Sequence, residues 1–148
     1  MPDALVNPVL WAGLIAWGIA QLLKVPIDYL QTGSWHWNLL LEAGGMPSSH
    51  SALVTSVAHG IGLFVGFDTP LYALAFTMTA IVVYDATGIR RQAGMHAELI
   101  NAMIRDLATG HPLKNNELRE VLGHTPWEAI AGVVLGLLVA QLGWLIWG

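Results

Sequence analysis

Cysteine is absent from this 148-residue chain. That excludes a disulfide framework, a thiolate metal site and a cysteine nucleophile. Charge is scarce as well: 11% of residues are charged, against about 25% in an ordinary soluble domain. Lys and Arg together number six, the formal net charge is -4, and no basic stripe appears, so no nucleic-acid partner is expected. The first apolar run has neither the basic flank nor the small-residue cleavage site of a signal peptide, and is expected to be retained. No linker, repeat or low-complexity segment is visible, and the length suits one domain.

What is present is apolar surface. Hydrophobic residues make up 55% of the chain and the mean hydropathy is +0.57, values that place it in a membrane. A membrane-crossing helix needs about 20 apolar residues, within a range of about 17 to 25. Four runs qualify, over residues 5–23, 51–67, 69–88 and 126–148. Asp68-Thr69-Pro70 turns between the second and third, and Trp144 and Trp147 form an aromatic belt at the end of the fourth. The expected fold is an all-α bundle of about four spans in a single integral membrane domain.

Two further pieces lie outside these spans. Gln31 to Met46, with Trp35, Trp37 and Leu39-Leu40-Leu41, suits a short interfacial helix or a re-entrant segment. Arg90 to Ala108 reads as an amphipathic helix: His96, Leu99, Ile100, Met103 and Leu107 follow helical spacing, and Gly110 ends it. Such a helix would lie on the membrane or cover the bundle; its periodicity serves either.

Four spans put Lys24, Arg90, Arg91, Arg105, Lys114 and Arg119 on one side, and these are all the Lys and Arg of the chain. By the positive-inside rule that side is cytoplasmic, both termini lie outside, and the cell (inner) membrane is the expected location. The same side receives His50 before the second span, Asp85 near the end of the third and His124 just before the fourth.

Chemistry-bearing residues therefore converge on one membrane face. Gly44-Gly45-Met46-Pro47-Ser48-Ser49-His50 is a small-residue turn opening a helix, and such turns present backbone N–H groups to an anion. His50 adds a group able to pass a proton near neutral pH. His124 stands in Gly123-His124-Thr125-Pro126-Trp127-Glu128. As a phosphotransfer nucleophile it would have its second ring nitrogen held by Glu128. Thr125, Pro126 and Glu128 also satisfy a helix capping box, which accounts for Glu128 without any chemistry. Arg90, Arg91, Arg119 and Lys24 are candidates for clamping phosphoryl oxygens, and equally act as orientation signals. Asp85, close to membrane depth, either pairs with Arg90 or Arg91 or takes part in the reaction. His59, in mid-span, and His96 read as packing histidines.

At these residues the chain resembles the phosphatidic acid phosphatase type 2 and vanadium haloperoxidase-related group. It is closest to the divergent branch of that family, small membrane proteins with GGMPSSHSA, YDAxGxRRxAG and LGHTPxE segments. Gly44 to Ala52, Tyr84 to Gly94 and Leu122 to Gly136 carry the match. The parent family has three blocks, K-x6-R-P, P-S-G-H and S-R-x5-H-x3-D. The resemblance implies that Pro47-Ser48-Ser49-His50 stands for the second, with His50 as proton donor to the leaving oxygen. It implies that His124-x3-Glu128 ends the third, with His124 as nucleophile and Glu128 in the aspartate's place. Arg119 approximates the arginine of that block, with four residues instead of five before His124, and Lys24 represents the first block without a following Arg-Pro.

What the resemblance implies as an activity is acid phosphatase-like hydrolysis of a phosphoric monoester, on a lipid phosphate at the cytoplasmic interface, through a phosphohistidine. Ser48, Ser49, Arg90, Arg91, Arg119 and Lys24 would bind the phosphate. No cofactor is expected; a magnesium site built from Asp85, Glu42 and Glu128 is the alternative. Non-hydrolytic binding or transport of a lipid phosphate, and a purely structural membrane role, are the other readings. The parent family has six core helices, so a homo-oligomer would complete the bundle.

Overall fold

The computed structural model describes residues 6–42, 44–87, 96–97, 99–104 and 125–148. Its architecture is a helical membrane bundle. Helices α1 (Pro8–Thr32), α2 (Ser49–Val65), α3 (Pro70–Thr87) and α4 (Pro126–Trp147) are its long elements. Of these, α1, α3 and α4 are long and apolar enough to cross a membrane. The 17 residues of α2 match the shorter end of the spanning range. Central α2 packs against each of the other three helices, and α1 also touches α4.

Each helix starts where local chemistry starts it. Asn7 caps α1, its side chain accepting from the N–H groups of Val9 (3.0 Å) and Leu10 (3.1 Å), with Pro8 at the first helical position. Ser48 caps α2 by accepting from Ser51 N–H. Thr125 and Glu128 form the expected capping box on α4. Gly33, at φ 72, closes α1 in a left-handed conformation that favours glycine, and its N–H reaches Tyr29 O at 2.8 Å.

One boundary differs from the sequence expectation. The first span was expected to stop at Leu23, before the charge of Lys24, yet α1 continues to Thr32. Lys24 is only 1% exposed, and its ammonium donates to the Glu42 carbonyl at 2.7 Å. A charge bonded inside the protein does not end a helix as a charge at the water boundary would. The chain then folds back along α1. A 3₁₀ turn at Trp37–Leu40 brings Leu40 O to the Gln21 side-chain amide (2.8 Å) and Glu42 O to Lys24. Stacking of Tyr29 on Trp35 (4.3 Å between centroids) and of Trp35 on Trp37 (5.6 Å) closes this hairpin. The segment is thus a returning hairpin, and Gln31 and Thr32 belong to α1.

Residues 96–97 and 99–104 are helical, and of the two placements left open by the periodicity the apolar stripe takes the outward one. Leu99, Ile100 and Met103 are 55%, 42% and 54% exposed, whereas Asn101 is buried. A membrane protein has lipid available for apolar side chains, so the polar residue takes the place against protein. Leu107 lies outside the described residues.

The same inversion runs through the bundle. The buried apolar residues are Ala12, Ala16, Ala20, Ala52, Ala58, Ala86, Ala129 and Ala140, with Val25 the largest. Most of the described leucines and tryptophans, with Phe67 and Phe76, face outward. Hydrocarbon solvates a leucine as well as a protein core does, so helix association in lipid relies on close packing of small residues. Ala12, Ala16 and Ala20 place such a stripe on α1; Ala52, Ser56 and Gly60 repeat it on α2, and Gly132, Gly136 and Ala140 on α4. A methyl group on Gly136 would lie 2.5 Å from Ala52 O and 3.0 Å from Ser56 N, and one on Gly132 would meet Ser48 O. Farther along the α2–α4 contact, His59 Nε2 and Gln141 Oε1 lie 3.3 Å apart. On the other flank, Thr79 of α3 donates to Val54 O of α2 at 3.0 Å.

Leucine at position 136 must push α4 away from α2. We expect Gly136→Leu to destabilise the bundle by about 1–3 kcal/mol or more. Gly18, with open space where a side chain would go, serves as the control, and Gly18→Leu should leave stability nearly unchanged. Reversible unfolding in mixed micelles checks this; equal midpoints for the two variants would refute the packing argument.

Candidate functional site

The turn that the sequence singles out is built into the bundle at the head of α2. Gly45 takes φ 89, the Met46–Pro47 peptide is cis, and Ser48 and Ser49 are fully buried. Ser48 N–H donates to Glu128 O at 2.9 Å. Its hydroxyl oxygen accepts from Ser51 N–H (3.3 Å) and Ser51 Oγ (3.0 Å), and its carbonyl accepts from Ala52 N–H. The N–H, hydroxyl and carbonyl of Ser48 are therefore all engaged in holding the turn to α2 and α4. His50 follows in the first turn of α2 and is half-buried.

The bond from Ser48 to Glu128 joins two segments 80 positions apart in sequence and places the first turn of α4 beside this turn. There Glu128 N–H donates to Thr125 Oγ1 (3.4 Å), and Glu128 Oε2 accepts from Thr125 N–H (3.2 Å). The capping role of Glu128 is thus realised.

Between these segments and α1 lies a cavity of about 300 Å³. Its polar wall is Lys24, Asp28, Gln31, Thr125 and Glu128; Ile27, Leu39, Met46 and Gly45 complete it. Helical spacing explains the α1 contribution, since positions 24, 27, 28 and 31 share one face. Gly45 lies against the stem of Lys24, where a methyl group would stand 3.6 Å from Lys24 Cδ. Asp28 Oδ2 meets His36 Nδ1 at 2.6 Å, and Asn38 Nδ2 donates to Glu42 Oε1 at 2.9 Å. A larger hollow of about 620 Å³, at the other end of α1 and α4, is lined by Val6, Pro8, Trp11, Ile15 and Trp147 and carries no titratable side chain.

Of the residues singled out from sequence, the structure gathers Lys24, Ser48, Ser49, His50 and Glu128 around the joined ends of α1, α2 and α4. Lys24 and Glu128 line the cavity, whereas Ser48 and Ser49 stand behind it. Asp85 is half-buried in the last turn of α3. His124, Arg90, Arg91 and Arg119 lie outside the described residues. Among the described residues, no group of three His, Asp or Glu side chains comes together to hold a metal ion, Asp85, Glu42 and Glu128 included.

Sequence reasoning missed Asp28, Gln31 and His36. The signal was available: Asp28 is four residues from Lys24, so one helical face carries both charges once α1 is read through Lys24. His36 has no such signature, because a hairpin and not a helical period brings it to Asp28.

No solved structure matches the chain. The uncharacterized membrane protein YuiD of Bacillus subtilis (strain 168) is 38% identical over 148 residues, covering 93% of this chain and 94% of that protein. The family described as the divergent PAP2 family matches residues 5–139, from the start of the first span to the last turns of α4. Matched over most of its length, this integral membrane protein belongs to the divergent PAP2 family.

Proposed function

We propose that this protein is a membrane-embedded phosphatase acting on a lipid phosphate at the cytoplasmic interface. The observation that carries the proposal is the 2.9 Å bond from Ser48 N–H to Glu128 O. It ties the Pro47–His50 turn to the segment directly following His124, beside a cavity walled by Lys24 and Glu128.

In the proposed reaction His124 attacks phosphorus in line, and the bond from phosphorus to the lipid oxygen breaks. His50 gives its proton to the departing alkoxide, releasing the lipid alcohol. Water then attacks the phosphohistidine and returns the histidine with inorganic phosphate. Lys24, in the cavity wall, is assigned to one phosphoryl oxygen as a fixed positive donor, and Arg90, Arg91 and Arg119 to the remaining oxygens. Ser48 holds the turn that precedes His50. Glu128 is assigned to the second ring nitrogen of His124 in addition to its capping bond. The buried lysine ammonium has a role in this scheme that a non-hydrolytic carrier would share; a nucleophile and an acid are what the carrier would not need.

Purified protein should release phosphate from lipid phosphates in the presence of EDTA, and His124→Ala and His50→Ala should abolish release. Full activity in His124→Ala would refute the mechanism, and loss in EDTA with rescue by magnesium would replace it with a metal-assisted one. Glu128→Gln separates capping from chemistry, because glutamine also serves in a capping box. Its stability should match the unsubstituted protein while turnover falls by about 10²–10⁴-fold, the range for groups acting in proton transfer. Unchanged turnover would leave Glu128 as a cap alone.

Orientation has its own check. With the basic face inside, a cysteine introduced at Asp68 should react with an impermeant thiol reagent in intact cells, and one at Gln31 should not. The reverse labelling would put the site outside.

A further inference from the structure

The four long helices do not end level with one another. Ser48 at the head of α2 is bonded to Glu128 at the head of α4, and Gly45, shortly before it, lies against the stem of Lys24. The Thr79–Val54 bond sets α3 beside α2, so its end at Thr87 falls near the same level. At the opposite end of the bundle Val9 packs on Gly60. The level of Lys24 is thus one edge of the bundle. From there the 22 residues of α4 extend about 33 Å, enough to cross a hydrocarbon core of about 30 Å. Among the described residues, α1 alone goes further. Val25 to Thr32 project about 12 Å beyond that edge, through a headgroup layer about 5–7 Å deep.

The hairpin after Gly33 comes back down this projection. His36 stands beside Asp28, Glu42 O accepts from Lys24, and Leu40 O accepts from Gln21, about 4.5 Å deeper along α1 than the lysine. Leu40 and Leu41 therefore reach the hydrocarbon edge. Non-helical backbone at that depth needs its polar groups bonded to protein. Here Leu41 N–H donates to Asn38 O (3.0 Å) and Glu42 N–H to Leu39 O (3.3 Å), while Gln21 and Lys24 supply donors for the carbonyls of Leu40 and Glu42. The outward side chains change with depth in the same sense. Leu41 is 94% exposed at the bottom, the stacked Trp35 and Trp37 are 54% and 64% exposed above it, and exposed Ser34 lies at the top. Tryptophan favours the headgroup layer and leucine the hydrocarbon. Residues 33–42 hold no Lys or Arg, so attraction to anionic headgroups has no part in this surface.

We infer that residues 34–41 form an interfacial hairpin immersed in the headgroup layer, with Leu41 against lipid chains and Ser34 at the water. Its exposed face is continuous with the lipid-facing side of α1, where Leu22, Leu23 and Leu30 are exposed, and the partner it fits is an uncharged lipid interface. This placement holds whatever reaction the cavity serves. Because Leu39 of the same turn lines the cavity, one wall of the cavity is set in the lipid layer.

The absence of cysteine lets single nitroxide labels report depth. The full chain in phosphatidylcholine vesicles carries Leu41→Cys, Trp37→Cys or Ser34→Cys. Each label is tested for collision with oxygen, which concentrates in lipid, and with a water-soluble nickel chelate. The ratio of oxygen to nickel collisions should rise severalfold from Ser34 through Trp37 to Leu41. At Leu41 it should approach the value at Leu74, on the exposed side of α3. Adding anionic phosphatidylglycerol should leave these ratios unchanged. A label at Leu41 displaces no internal contact, and Leu30→Cys on α1, 83% exposed, samples the same layer without altering the hairpin. Its ratio should lie between those of Ser34 and Leu41. A Leu41 ratio equal to that of Ser34 would put the hairpin in water and overturn the inference. So would a Leu41 label immobilised and shielded from both reagents, which would put a second copy of the chain on this face. A ratio that rises only with phosphatidylglycerol present would overturn the uncharged partner in favour of an anionic one.

Discussion

The close approach of α2 to α4 is the constraint on which the rest of the structure depends. Gly132 and Gly136 lack the atoms that would strike the carbonyls of Ser48 and Ala52. Two backbones can then lie almost against each other, and the Ser48 amide can reach Glu128 O. In lipid such contact replaces the hydrophobic effect as the source of helix association. Most large apolar side chains of the described residues accordingly face outward, and the buried positions are mainly alanine, glycine and serine. Packing of this kind is specific, because small residues fit in one register only, and here that register also sets where the heads of α2 and α4 meet.

Lys24 is the second determinant. A buried ammonium is costly unless it is satisfied. Here the returning hairpin supplies the acceptor, since Glu42 O bonds Lys24 Nζ and Leu40 O bonds Gln21 one turn earlier. The hairpin in turn is held by the Tyr29, Trp35 and Trp37 stack and by the His36–Asp28 pair. An interaction that at first sight only neutralises a misplaced charge thus builds one wall of the cavity. The Ala12, Ala16, Ala20 stripe leads directly to position 24, so the packing that seats α1 also seats the lysine.

Much of this was legible in the sequence, and the parts that were not have physical reasons. The ends of α2, α3 and α4 lie within a residue or two of expectation because their start signals are local: Ser48, the turn at Asp68-Thr69-Pro70, and Thr125 with Glu128. The end of α1 was misplaced because a lysine in an apolar run reads as a boundary with water, and nothing near it in sequence announces its carbonyl partner at position 42. The hairpin contacts join residues 18 and 19 apart with no periodicity to reveal them. The outward turn of Leu99, Ile100 and Met103 follows from the solvent and not from the pattern, since an amphipathic stripe has the same spacing whether it faces protein or lipid. Around the cavity, Lys24 and Glu128 were named from their motifs, whereas Asp28, Gln31 and His36 belong to no motif and emerge only from the fold.

Glu128 shows why capping and chemistry need not compete for one residue. Its carboxylate accepts from Thr125 N–H, and that N–H belongs to the peptide bond joining Thr125 to residue 124. Its own carbonyl accepts from Ser48, two residues before His50. Glu128 is therefore bonded at once to the peptide that follows His124 and to the turn that precedes His50, by two different groups. A residue in that position fixes the relation between the two segments whatever its side chain does in a reaction. The capping box would then serve the proposed site as well, because the helix start it fixes is the one that the proposed nucleophile precedes in sequence.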